Sequence, residues 1–186
     1  MKNTDQRVVK TLALIDQTCY ALLDQMPFEK LSVAMICKHA TIGRSTFYQY
    51  YLDKYDWLEK QVALYTDQFQ TIMANRQRDF QQSESLTKLV TALLPYRAPI
   101  LVLLKIHSAT ADLTVNFNQI LQTSVTKFKL PDSKLTVPLP YLQALYATNA
   151  MTYITYSLEH GIDEQVSQFM NQSFNLILPT LVVKPK

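Results

Sequence analysis

Residues 31–58 read LSVAMICKHATIGRSTFYQYYLDKYDWL. Ser32 is a good N-cap, and Val33, Ile36, Cys37 and Ala40 follow at helical spacing, which predicts a short amphipathic helix. Thr41-Ile42-Gly43 does not continue it comfortably: a β-branched pair followed by one of only two glycines in the chain reads as a turn. Gly43 can serve as N-cap of a second short helix, from Arg44 to about Tyr50, whose Phe47 continues the buried face begun by Ile42. Two short helices across a tight turn form a helix-turn-helix, in which the second helix can enter the major groove of DNA.

The segment resembles the DNA-binding domain of the tetracycline-repressor (TetR) family of transcription regulators. The residues that carry the resemblance are S-V-x-x-I-C in the first short helix and A-T-I-G-R-S-T-F-Y-Q-Y-Y-L-D-K-Y-D-W-L from the turn onward. Together with the preceding helix they cover about the first third of the chain. The departure from the family pattern is Thr41, where glycine is usual, with Gly43 where serine is usual.

A recognition helix of two turns brings few side chains to base edges. Arg44, Ser45 and Gln49 are the candidates, because Phe47 must face the core and Ile42 precedes the helix. Arginine bonds guanine O6 and N7 together, and glutamine suits adenine. The resemblance adds Thr46 to the base contacts and implies that Tyr48, Tyr50 and Lys54 hold the phosphate backbone. The chemistry agrees, since a phenol needs a polar partner and a helix N-terminus such as that at Lys54 favours a bound phosphate. Ser32 is a further phosphate candidate, whereas Tyr51 reads as core.

Working outward, Val8, Leu12, Ile15, Cys19 and Leu22 mark a first helix from residue 4 or 5 to about 24, ended by Met26-Pro27. Phe28 and Leu31 are expected to plug the space between it and the helix-turn-helix. A fourth helix opens at Asp53 as N-cap and carries Trp57, Leu58, Val62, Tyr65, Phe69 and Ile72 to about residue 80. After a polar break at 81–85, a fifth helix spans about 84–94 and a sixth, with Pro99 in its first turn, runs to about 127 through Leu101, Leu104, Ala111 and Val115. Residues 129–140, with three prolines, read as a loop. The seventh helix, 141–160, closes at Gly161 as a left-handed residue. The eighth starts at Asp163 and carries Val166, Phe169, Met170, Phe174 and Ile177 on one face until Pro179.

The chain is thus expected to be all-α, with a three-helix DNA-binding domain at 1–52 and a helical dimerisation and ligand-binding domain at 53–186. Two glycines cannot build a P-loop, a dinucleotide fingerprint or a nucleophile elbow. No nucleophile, base and anion-binding loop converge, so an enzyme is not expected, and neither is a cofactor. His107 and His160 lack ligand-spaced partners, and Cys37 and His39 lie on different helix faces, so no metal site is expected. The net charge of +3 is weak evidence for nucleic acid, but Lys30, Lys38, Arg44 and Lys54 face only Asp53 between residues 30 and 54. The N-terminus lacks the apolar core of a signal peptide, and no apolar run approaches a membrane span: the longest, 98–104, contains Pro99. Cys19 and Cys37 read as reduced core thiols of a cytoplasmic protein.

In the resembling family the remaining helices dimerise and bind a ligand. Ala144, Ala147 and Ala150 on the seventh helix permit close helix approach, so this helix and the eighth are expected to form a four-helix bundle with a second copy, or to bury within their own subunit. Tyr96, His107, Phe117 and Tyr146 combine aromatic surface with polar tips that suit a small-molecule effector, although such residues also build cores. The function expected is that of a homodimeric, sequence-specific repressor binding double-stranded operator DNA under effector control. The alternative is a helical co-activator acting through a protein partner, with DNA reading weak or lost.

Overall fold

A computed structural model describes residues 2–76, 85–125 and 135–177, with side chains over 6–75, 86–125 and 135–173. Helices α1 (Lys2–Leu23), α2 (Val33–His39), α3 (Arg44–Tyr48), α4 (Lys54–Arg76), α5 (Ser85–Leu93), α6 (Arg97–Leu103), α7 (Leu113–Val125), α8 (Leu139–His160) and α9 (Glu164–Ile177) follow in order. Single 3₁₀ turns lie at Phe28–Lys30 and Leu94–Tyr96, and the described residues contain no β-strand. The fold is all-α.

The chain divides into two compact units, residues 1–64 with 98–113, and residues 65–97 with 114–186. In the first, the stripe on α1 buries Ile15, Cys19 and Leu22, and Phe28, Leu31, Ile36, Phe47, Trp57 and Leu58 join the same interior. Phe28 and Leu31, expected to plug the space beside α1, are both buried. Helix α4 is continuous through both units: Trp57, Leu58 and Val62 are buried in the first and Phe69 and Met73 in the second. In the second unit, Leu86, Leu89, Val90 and Leu93 of α5 are buried, as are Phe117 and Leu121 of α7 and Leu142, Tyr146, Ala147, Ala150 and Tyr153 of α8.

The expected sixth helix is two helices. Between α6 and α7 the hydroxyl of Ser108 accepts from the Thr110 N–H at 3.3 Å, and His107 Nδ1 meets Asp112 Oδ2 at 2.8 Å. Short polar side chains that satisfy nearby polar groups in this way compete with helix. The apolar phase resets across the break. Ile100, Leu103, Leu113 and Phe117 are buried, while Leu101 and Leu104 are half-buried and Val115 is exposed. Helix α8 begins two residues early because Pro138 is its N-cap and Pro140 falls in its first turn, where a missing N–H is harmless. Gly161 ends it at φ 90 and ψ 175, an extended conformation specific to glycine rather than the left-handed helical one. Asp163 caps α9 by accepting from the Val166 N–H at 2.9 Å. On that helix Phe169 is 68% exposed, so it does not share a face with buried Met170.

The window Leu86–Leu103 is long and apolar enough to cross a membrane once single polar residues are allowed, which a search for unbroken apolar runs passes over. It comprises α5, the 3₁₀ turn with Pro95 and α6, and Leu86, Leu89, Val90, Leu93, Ile100 and Leu103 are buried in the protein. The expected ends of the fourth, sixth and eighth helices, the polar break at 81–84 and most of the 129–140 loop lie outside the described residues.

Candidate nucleic-acid interface

Helix α2 starts where its sequence says it should: Ser32 Oγ accepts from the Met35 N–H at 3.3 Å. Its end is less ordinary. The Thr41 N–H bonds the Lys38 carbonyl at 3.4 Å and the Ile42 N–H reaches back to the Cys37 carbonyl at 3.0 Å. This pair of bonds is a Schellman motif, whose residue after the C-cap takes the left-handed conformation that glycine adopts without strain. Thr41 occupies it at φ 53. A β-branched residue there carries a cost of about 1–2 kcal/mol per residue, so the substitution away from glycine keeps the turn and strains it. Thr41→Gly is expected to stabilise the protein by about 1 kcal/mol after the greater unfolded-state freedom of glycine is counted. Urea unfolding measures this, and an unchanged or lower midpoint would show that the strain at Thr41 is no larger than the entropic cost of glycine.

Gly43 is the N-cap of α3 at φ −69 and ψ 151, with no side-chain bond to give. A Cβ built on it would stand 3.5 Å from Ser45 Oγ, an ordinary contact, so the serine usual at this place in the resembling family fits. From this cap α3 runs for five residues. Phe47 is wholly buried, and Arg44, Ser45, Tyr48 and Gln49 are exposed around it. Thr46 and Tyr50 are half-buried. The residues expected at base edges therefore form one outward patch, with Thr46 at its inner margin. Tyr48 is 53% exposed and sets its ring edge-on to Phe47 at 5.7 Å.

Lys54 is differently placed. Its ammonium donates to the Phe28 carbonyl at 2.9 Å and the Glu29 carbonyl at 3.0 Å, over the rings of Phe28 and Tyr55. One of its three protons is left for another partner. At the same helix start, Asp53 Oδ1 accepts from the Tyr55 and Asp56 N–H groups, both at 2.8 Å, so a side-chain carboxylate occupies the place where the sequence suggests a phosphate. Asp56 Oδ2 accepts from the Leu52 N–H and from Lys60 Nζ, whose hydrogen bond holds the Asp56 carboxyl below its ordinary value. Lys60 also donates to the Tyr50 carbonyl at 2.9 Å. This lysine, which ties the stretch after α3 to α4, is missed by a reading that looks for contacts to DNA.

Beneath the surface lies a polar cluster that the sequence did not announce. Asp16 Oδ1 on α1 accepts from Tyr51 Oη at 2.9 Å, Trp57 Nε1 at 2.9 Å and Gln61 Nε2 at 3.1 Å. Gln61 Oε1 in turn accepts from Tyr20 Oη at 2.7 Å. Burial pushes the Asp16 carboxyl above its ordinary value, and the three donors pull against that shift. Cys19 and Cys37 are buried and unpaired, and burial pushes both thiols up, which makes them poor nucleophiles.

The four residues expected to line an effector pocket fall in both units. Tyr96 is half-buried, with its ring 6.0 Å from that of Tyr65. Phe117 is fully buried and stacked on Phe69 at 3.9 Å, and Tyr146 is buried. These three belong to the second unit. His107 belongs to the first, in the exposed loop where it meets Asp112. A partly open cavity of about 470 Å³ lies between α4 and α7 in the second unit, lined by Gln70, Met73, Ala74, Gln119, Ile120, Thr123 and Ser124. None of the described side chains that line it is charged.

No protein-family model matches this sequence, and no curated protein does. Solved structures do match over nearly their whole length. One is a gamma-butyrolactone receptor, described as an ArpA-like protein, at a TM-score of 0.56 and 13% identity, with 94% of this chain and 98% of that one covered. Another is the TetR-family repressor AlkX from Dietzia sp. strain DQ12-45-1b, implicated in biodegradation of n-alkanes, at 0.50 and 11%, covering 94% and 99%. The chain has the TetR-family fold. At such identities the likeness extends to the path of the helices and leaves side-chain roles to the chain's own residues. In the TetR fold of this chain, the helix-turn-helix is α2 and α3, and its outward patch is Arg44, Ser45, Tyr48 and Gln49.

Proposed function

We propose that this chain is a sequence-specific DNA-binding transcription regulator, a homodimeric repressor whose hold on its operator is controlled by a small molecule. The observation that carries the reading is the division of α3. One side chain, Phe47, is wholly buried, while Arg44 and Ser45 on the helix and Gln49 at its C-cap, with donors and acceptors suited to base edges, stand exposed. Thr46 would touch bases from the margin of this patch, and Ser32, Tyr48, Tyr50 and the remaining proton of Lys54 would hold phosphates. Residues 1–52 supply the reading head apart from Lys54, and residues 53–186 supply dimerisation and effector control. The protein acts in the cytoplasm, where DNA is available and buried thiols stay reduced.

Dimerisation is supported by exposed apolar side chains on and beside the last two helices: Leu139, Tyr141 and Tyr156 of α8, Ile162 between them, and Phe169 of α9. Ala144 is exposed, but Ala147 and Ala150 are buried within their own chain and cannot line an approach between copies. Phe169 and Tyr156 take their place in the proposed interface. A two-fold dimer would set two α3 helices on half-sites one helical turn apart. Effector control is supported by the fold shared with a gamma-butyrolactone receptor and by the cavity on α4, whose described lining carries no charge.

Fluorescence anisotropy against fragments of the gene's own upstream region and against random duplex, at two salt concentrations, tests the proposal. Preference for a fragment, with affinity falling steeply as salt rises, is expected. Binding to every fragment and to random duplex with one affinity would sink it.

A further inference from the structure

Five residues of α3 are too few to hold a helix in water, so its orientation must come from ties at its ends and along its buried side. Its start is a glycine with no side-chain cap, and its buried side is the single ring of Phe47. Beyond its last residue the chain turns, and Tyr51 points inward with its hydroxyl on Asp16 Oδ1 at 2.9 Å. The same oxygen receives the only N–H of the Trp57 indole and one N–H of Gln61, both on α4. One carboxylate oxygen on α1 thus joins the exit of α3 to the first two turns of α4.

We propose that Asp16 is a positioning residue for DNA reading: its Oδ1 fixes the segment leaving α3 to α1 and α4, so that Arg44, Ser45 and Gln49 keep a fixed register. The inference rests on the reading of α3 as the recognition helix. It separates geometry from charge. An amide with its oxygen in the Oδ1 position accepts the same three hydrogen bonds, whereas an alanine leaves Tyr51, Trp57 and Gln61 donors without this acceptor. Tyr51→Phe removes the bond from the α3 side alone and keeps the ring, which is 4% exposed and lies 5.6 Å from that of Phe47.

The test uses the full chain and four variants, D16N, D16A, Y51F and D16A/Y51F. Hydrogen exchange of the α3 amides is measured without DNA, and anisotropy on the preferred fragment and on random duplex is measured below the unfolding transition. In D16A, α3 exchange is expected to quicken about tenfold or more while the centre of α1 is unchanged, and fragment affinity to fall by about the same factor. Random-duplex affinity should stay within about threefold, because phosphate contacts tolerate misplacement that base contacts do not. D16N should behave as the parent. Y51F should shift in the direction of D16A by a smaller factor, and the double variant should be no weaker than D16A, since both remove one bond. Equal losses on fragment and random duplex, unchanged α3 exchange, or a D16N variant as impaired as D16A would each overturn the proposal. If D16A fails to fold, Y51F decides: faster α3 exchange with lower selectivity supports it, and neither change overturns it. A parent protein that prefers no fragment would instead defeat the DNA-reading assignment, while the exchange experiment still judges Asp16.

Discussion

Phe47→Ala is expected to cost about 3–5 kcal/mol of folding stability, the range for removing a buried aromatic ring. Phe47 has no solvent exposure, and it is the only fully buried side chain of α3. A domain's whole stability is about 5–15 kcal/mol, so this one change uses a large share of it. The loss falls where it matters for function. With Phe47 gone, the ring contacts to Tyr48 and Tyr51 go too, and α3 keeps only its polar ties. Preference for the operator should disappear at temperatures where far-ultraviolet circular dichroism still shows the other helices folded. Urea unfolding and anisotropy on one preparation measure both effects. A stability loss below about 1 kcal/mol with selectivity intact would mean that α3 is anchored elsewhere.

The second large effect is expected from Phe169→Glu, which places a charge on an exposed ring of α9. In the monomer the change should cost little, since Phe169 is exposed and surface substitutions stay within about 0.5 kcal/mol. In the proposed dimer two carboxylates would be driven into one apolar interface, where an unpaired buried charge is costly. Sedimentation is expected to show the parent as a dimer and the variant as a folded monomer, whose melting temperature is lowered by the lost association and no longer depends on protein concentration. Operator affinity should fall by about 100-fold or more, because the second half-site then binds as a separate molecule rather than as a tethered one. A variant that remained dimeric would move the interface away from α9.

What was legible in the sequence follows a physical pattern. The helix-turn-helix was legible because its signals are local: Ser32 and Gly43 as caps, Phe47 continuing the apolar face from Ile42, and Asp53 ahead of Trp57. The Asp16 cluster was not, since Tyr51, Trp57 and Gln61 lie 35, 41 and 45 residues away, and an aspartate on a helix reads as a solvated charge. The strain at Thr41 was legible only as an exchange with the glycine usual there, and the backbone angle gave it its meaning. The break between α6 and α7 has no glycine or proline, so one apolar period was carried across it; that period gives buried Ala111 correctly but also exposed Val115. The aromatic residues expected to line a pocket illustrate a different limit. Phe117 stacking on Phe69 and buried Tyr146 belong to the interior of the second unit, and no periodicity distinguishes a core ring from one that would face a ligand.

The central claim is that α3 reads base edges, and Arg44 is its most exposed test. Fluorescence anisotropy of the parent and of Arg44→Ala, on the preferred upstream fragment and on random duplex at one salt concentration, measures it most directly. Removal of a bidentate guanine contact is expected to weaken fragment binding by about 1–3 kcal/mol and to leave random-duplex binding within a few-fold. Equal weakening on both DNAs would make Arg44 a phosphate contact and contradict base reading by this residue.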